Sequence, residues 1–209
     1  MDYLISFIDF FLHLDVKLGA IIATYGGWTY GLLFLIVFLE TGLVVTPILP
    51  GDSLLFAAGT FAALGSFKIF WLWLLLAVAA ILGDTANYWI GRVLGEKLIA
   101  GNNRFIKKEY LERGQRFYDK HGAKTIVLAR FVPIVRTFAP FIAGVSRMNY
   151  GRFIFYNIFG GLAWVSLFVF GGYFFGQLPI VKNNFSLVVL AIIVLSVMPM
   201  VIDLIRNRR

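Results

Sequence analysis

Residues 125–145 read TIVLARFVPIVRTFAPFIAGV. The stretch is apolar enough for a membrane, yet it holds Arg130, Arg136, Pro133 and Pro140 in barely the length of one span. A helix needs about 20 apolar residues to cross the hydrocarbon core. Proline removes a backbone donor and clashes with the preceding turn, so this segment is expected to break at its prolines. Broken backbone at membrane depth persists only where protein or water satisfies its polar groups. The expectation is therefore a re-entrant hairpin over 125–147, facing the protein interior.

A second stretch has the same character. The apolar region from Trp28 to Leu64 is interrupted by TPILPGD at 46–52, and its second arm, about Ser53 to Leu64, is too short to cross. It reads as another re-entrant hairpin, over 28–64. Around the two hairpins lie three runs of spanning length, at 69–92, 152–175 and 185–205.

Charge sets the orientation. Between Arg92 and Lys124, nine basic residues stand against four acidic ones, and the chain finishes Arg206-Asn207-Arg208-Arg209. Both places are expected on the cytoplasmic side, and the loop 176–184, with only Lys182, outside. If 125–147 re-enters, 152–175 goes out and 185–205 returns, leaving the C-terminus inside as its charges require. A full span at 125–147 would put that terminus outside. By the same parity the first hairpin enters from outside, so the two are opposed.

Composition agrees. The chain is 60% hydrophobic and 14% charged, with a mean hydropathy of +0.83, which leaves too little polar surface for a water-soluble domain of 209 residues. The net charge of +8 gathers at the ends of apolar runs, so it reads as membrane orientation and attraction to anionic lipid, not as nucleic-acid binding. Cysteine is absent, which excludes disulfides and thiolate chemistry. The start, Met1-Asp2 with Asp9 and Asp15, has no basic n-region and does not read as a signal peptide.

The fold class is thus an all-α polytopic membrane protein, a single membrane domain over 1–209. It comprises an N-terminal amphipathic helix (1–25), hairpin 28–64, span 69–92, a basic amphipathic cytoplasmic segment (96–122), hairpin 125–147, and the spans 152–175 and 185–205. The basic segment is expected to form a surface helix near 104–120, with Glu109–Arg113 and Glu112–Arg116 as i,i+4 pairs.

A weak internal repeat accompanies this order. Phe56-Ala57-Ala58-Gly59 and Phe141-Ile142-Ala143-Gly144 close the hairpins, and each following span ends in glycines four apart, Gly91/Gly95 and Gly172/Gly176. Opposed entry makes the repeats inverted, which is a transporter pattern. The glycines themselves read as sites of close helix packing.

Ionisable groups inside a membrane are costly and face a cavity or a partner. Four stand out: Glu40, Asp52, Arg130 and Arg136. They read either as a structural cluster joining the hairpins or as a site. In the second reading the arginines offer forked donors to an anion, above all a phosphate, and the carboxylates couple binding to ions. Asp52 also has the local reading of an N-cap for the arm starting at Ser53. Asp84 and Asn87, one turn apart, form a supporting polar face. His13 and His121 read as interfacial, with no spacing for a metal. Nucleotide-binding and hydrolase motifs are absent, so an enzyme is not expected.

The segments FLETGLVVTPILPGDSLLFAAG (38–59) and ARFVPIVRTFAPFIAG (129–144) resemble the DedA family of bacterial membrane proteins, as do HLDVKLG (13–19) and KHGAKTI (120–126). The carrying motifs are E-x11-D across the first hairpin and R-x2-P-x2-R-x3-P in the second. The family is similar to eukaryotic VTT-domain lipid scramblases, which implies two re-entrant hairpins in inverted arrangement. The resemblance also implies movement of lipids between leaflets of the inner membrane, including the polyprenyl phosphate carrier of cell-wall assembly and, in some members, phosphatidylethanolamine. Other members are linked to membrane-potential homeostasis, cell division and tolerance of cationic peptides. The acidic and arginine pairs essential in family members fall on Glu40, Asp52, Arg130 and Arg136.

The function expected is a lipid translocase for undecaprenyl phosphate or another phosphate-bearing lipid. Arg130 and Arg136 would bind the substrate, while Glu40 and Asp52 would couple to protons or sodium. No cofactor beyond an ion gradient is implied. Partners are membrane lipids, anionic phospholipid or polyprenyl phosphate, and the aromatic surface permits a homodimer. The rival expectations are a proton-coupled small-solute antiporter and a structural or assembly factor for membrane homeostasis.

Overall fold

The computed structural model describes residues 14–43, 51–100, 122 and 124–206. The proline-bearing stretch 46–50 expected at the tip of a first hairpin, the basic helix expected near 104–120, and both histidines lie outside the described residues.

Among the described residues all regular structure is helical. The helices are α1 (Leu14–Tyr25), α2 (Trp28–Gly42), α3 (Gly51–Ala63), α4 (Ile69–Ala100), α5 (Thr125–Ala129), α6 (Pro133–Val145), α7 (Tyr150–Phe175), the single turn α8 (Pro179–Lys182) and α9 (Phe185–Arg206). Two stretches, Ile69–Leu94 and Tyr150–Phe175, are long and apolar enough to cross a membrane, with mean hydropathies of 2.0 and 1.9. Large apolar side chains such as Phe70, Trp71, Leu82, Phe155, Phe159 and Phe174 stand exposed along them. Bare to water, such a surface would be an aggregation hazard; lipid removes the difficulty.

The stretch 125–145 breaks once, not twice. Proline disfavours helical backbone in the residue before it, and Val132 is extended at φ −122°, ψ 106°, with Pro133 opening α6. Ahead of the break the backbone tightens into three-residue turns, Arg130 N–H donating to the Val127 carbonyl and Phe131 N–H to Leu128. Pro140, expected to break the segment as well, sits inside α6 without ending it. Its ring removes one helical bond, while Ala139 and Ala143 to either side pack in a core with Tyr88 and Phe153 that holds the helix in place.

The chain packs as two compact units, each assembled from separated segments. One contains Met1–Leu35, Pro50–Leu76 and Val165–Arg209. Its centre is α3, buried at every position from Gly51 to Thr60 and packed on α1 and α9. A Cβ on Gly59 would overlap the Val169 carbonyl of α7, and one on Gly172 would overlap the Phe56 carbonyl of α3. Only glycines allow that approach. Thr60 adds a hydroxyl bond to the Gly172 carbonyl at 3.2 Å.

The other unit contains Ile36–Leu49 and Ala77–Trp164. It builds the same contact between α6 and α4. A Cβ on Gly144 would overlap the Tyr88 carbonyl, and one on Gly91 the Phe141 carbonyl. The F-x-A-G of each broken segment thus meets the glycine pattern of the span that follows the other broken segment.

Both short helices also end alike. Ser66 and Gly65 N–H groups return to the Phe61 and Ala62 carbonyls after α3, and Met148 and Arg147 return to Ala143 and Gly144 after α6. These are Schellman closures, whose central residue is left-handed. Gly65 fills that place at φ +85°, and Arg147 fills it at φ +53°.

Candidate functional site

The second unit concentrates buried charge. The break after α5 sets Arg130 just before it and Arg136 one turn into α6, at 1% and 3% exposure. Arg136 Nη2 donates to Glu40 Oε1 of α2 at 2.5 Å, and its guanidinium lies 4.7 Å from the ring centre of the buried Trp164. A cation over an aromatic face in a desolvated site gains about 2 kcal/mol. Arg130 Nη2 forms an ion pair with Asp84 Oδ2 of α4 and also donates to Asn157 Oδ1 of α7. Arg136 lies within electrostatic reach of both Asp84 and Arg130, which links the two pairs.

Glycine and amide contacts hold this geometry. A Cβ on Gly83 would overlap the Thr41 hydroxyl and crowd the Phe38 carbonyl, so α2 and α4 touch where Glu40 and Asp84 emerge. Asn87, fully buried, donates from Nδ2 to the Thr41 carbonyl at 3.2 Å and the Thr137 carbonyl at 2.8 Å. Those carbonyls follow Glu40 and Arg136 in the chain, so one amide staples both segments to α4. Asp84 carries the direct partner contact to Arg130, a larger part than the supporting one expected of it.

Donors and acceptors do not balance around Arg130. Among the described residues its buried Nε and Nη1 have no protein acceptor, and Asp84 Oδ1 and Asn87 Oδ1 have no donor. A guanidinium has five N–H groups, and here only those on Nη2 are used. Leaving such groups dry and unmatched costs on the order of 1–3 kcal/mol each. The arrangement can accept an anion at Arg130 without dismantling its link to the protein.

Asp52 belongs to the first unit. It is buried within the first turn of α3, which begins at Gly51, so it stands inside the helix and not at the N-cap expected for it. A carboxylate there also complements the helix dipole. Sequence reading passed over Asn157 and Trp164. The signal for Asn157 was available, because a lone amide in the middle of an apolar 26-residue helix needs a partner as a charge does.

The model of the VTT domain matches residues 49–174, which include Asp52, Asp84, Arg130, Arg136 and Asn157. Protein DedA of Escherichia coli is 53% identical over 212 aligned residues, covering 100% of this chain and 97% of that protein. The chain belongs to the DedA family. The DedA-family relatives include an uncharacterized membrane protein of Mycobacterium tuberculosis, Rv0364, 45% identical over 180 residues with 85% of this chain and 79% of that one covered. The inner membrane protein YqjA of Escherichia coli is 40% identical over 155 residues, with 74% and 70% covered. No solved structure matches. Family membership and the two long lipid-compatible helices together make this DedA-family chain a membrane protein.

Proposed function

We propose that this DedA-family chain is a translocase that moves a phosphate-bearing lipid, undecaprenyl phosphate first among them, between leaflets of the cytoplasmic membrane. The observation that carries the reading is Arg130, buried, anchored at one nitrogen and with Nε and Nη1 lacking protein acceptors among the described residues. A phosphate ester supplies several charged acceptor oxygens, and the Nε and Nη1 groups of Arg130 are charged donors for separate oxygens. Arg136, in the first turn of α6 beside the positive end of the helix dipole, adds a second cation. The two broken segments act as opposed re-entrant hairpins, the C-terminus is cytoplasmic, and the acyl tail stays in the bilayer.

Charge balance supports coupling to an ion gradient. Each arginine is neutralised by a carboxylate, Asp84 or Glu40. An incoming phosphate adds negative charge beside those carboxylates, and a proton or sodium ion taken up with it keeps the site neutral. Asp52, buried in α3, is the further coupling acid of this scheme. The chemistry is binding and release, with no bond made or broken.

Leaflet transfer of fluorescent undecaprenyl phosphate in proteoliposomes, with and without a pH gradient, tests the proposal. Gradient-dependent transfer that vanishes in Glu40→Gln and Arg136→Ala at matched reconstitution is the expected result. Transfer indifferent to the gradient would keep lipid movement and remove coupling, and no transfer from folded protein would sink the proposal. Direct pairing of both arginines with carboxylates favours one rival, a structural factor whose ion pairs simply join helices. That rival predicts that Glu40→Gln lowers abundance and activity in step.

A further inference from the structure

Asn157 has no part in the scheme above, yet it is fully buried and every polar atom it has is committed. Its Nδ2 donates to the Ile81 carbonyl at 3.0 Å and to the Thr85 hydroxyl at 3.3 Å, both on α4. With both amide hydrogens spoken for, the carbonyl oxygen has one direction left, and it points at Arg130 Nη2. Nη2 has two hydrogens, so Asp84 and Asn157 together saturate it. Along the rest of the side chain α7 offers a glycine floor: a Cβ on Gly160 would come within 3.0 Å of Arg130 Cδ and 3.2 Å of Nε. Arg130 is therefore fixed at one corner and packed along its stem on the α7 backbone, with its other nitrogens unengaged by protein among the described residues.

The chemistry of the second anchor matters. A carboxamide fills Nη2 without adding charge, so Arg130 and Asp84 balance as one cation and one anion. A carboxylate in the same place would surround the guanidinium with two negative charges and repel a third. We propose that Asn157 is the positioning residue that makes Arg130 receptive to a phosphate ester, through both the direction and the neutrality of its amide oxygen. This rests on the phosphate reading above. The charged groups around it are Arg130 and Asp84, with Arg136 in electrostatic reach and Glu40 paired to that arginine.

Titration calorimetry of the full-length protein in maltoside micelles tests the inference, with farnesyl phosphate, inorganic phosphate and uncharged farnesol as probes. The isosteric Asn157→Asp variant is expected to weaken farnesyl phosphate binding at least tenfold relative to wild type at pH 8. That ratio should shrink as the pH falls to 5, because two carboxylates on one nitrogen come to share a proton. Farnesol affinity and the melting temperature of Asn157→Asp are expected to stay at their wild-type values, whereas a merely structural role would lower both along with the phosphate affinity. Farnesyl phosphate bound far more tightly than inorganic phosphate identifies a lipid headgroup as the source, and equal affinities identify a free anion. Should Asn157→Asp fail to fold, Thr85→Val decides: loss of one amide anchor is expected to weaken binding about threefold. Unchanged affinity in a folded Asn157→Asp at both pH values, or in Thr85→Val when it stands in, overturns the role of Asn157. Wild-type protein that binds neither phosphate probe would instead fail the underlying phosphate reading.

Discussion

Glu40 and Arg136 sit 96 positions apart in sequence and 2.5 Å apart in space, at 1% and 3% exposure. Removing one partner of a buried pair leaves an uncompensated charge and costs about 3–5 kcal/mol, whereas replacing both by apolar residues is often neutral. Glu40→Ala is therefore expected to lower stability by roughly that amount in detergent-solubilised unfolding, and Glu40→Leu with Arg136→Met to restore most of it. Lipid transfer should stay lost in the double variant, which separates holding the fold from moving the lipid. The four candidate charges were legible because each interrupts an apolar run. Their pairing was not. Arg130 meets Asp84 on α4, a choice made by the Gly83 contact and by Asn87, neither of which has a one-dimensional signature.

At the scale of elements, hydropathy located the spans well, because lipid demands unbroken apolar length. The runs at 69–92 and 152–175 appear in helices long and apolar enough to cross, Ile69–Ala100 and Tyr150–Phe175, while the run at 185–205 appears as the helix Phe185–Arg206. Pro133 marked the break correctly through its hold on Val132, while Pro140 misled, since core packing outweighs one missing bond. Two outcomes follow for the short helices. Arg147 is left-handed in a closure where α3 uses glycine, so Arg147→Gly should raise unfolding stability by about 0.5–1 kcal/mol, read as a higher melting temperature. Gly144→Ala and Gly59→Ala drive a methyl into a backbone carbonyl and should cost about 1–3 kcal/mol each. Gly31→Ala, in α2 with open space around it, should be neutral or mildly stabilising in the same assay.

For the whole molecule, the proposed topology makes a labelling prediction that the absence of cysteine keeps clean. In intact spheroplasts, a membrane-impermeant maleimide should modify Ser66→Cys and Asn183→Cys but leave Asn149→Cys untouched until the membrane is opened. Labelling of Asn149→Cys from outside would reverse the orientation read from the basic segment. Two similar endings and two glycine pairs were visible in sequence. Their crosswise partnership was not, because a glycine records that something comes close without recording what.

That crosswise partnership also sets a schedule for synthesis. Thr60 of α3 is 112 residues ahead of the Gly172 carbonyl it bonds, whereas Tyr88 is 60 residues ahead of its partner Met148. At translation rates of about 5–20 residues per second, α3 waits roughly ten seconds for the second half of α7. During that interval a helix destined to be buried from Gly51 to Thr60, with Asp52 near its start, has neither its glycine seat nor α9 to cover it. Of the two glycine-seated helices, α3 leaves the ribosome before α6 yet waits longer for its seat, and the nascent chain depends on whatever shelters it in the meantime.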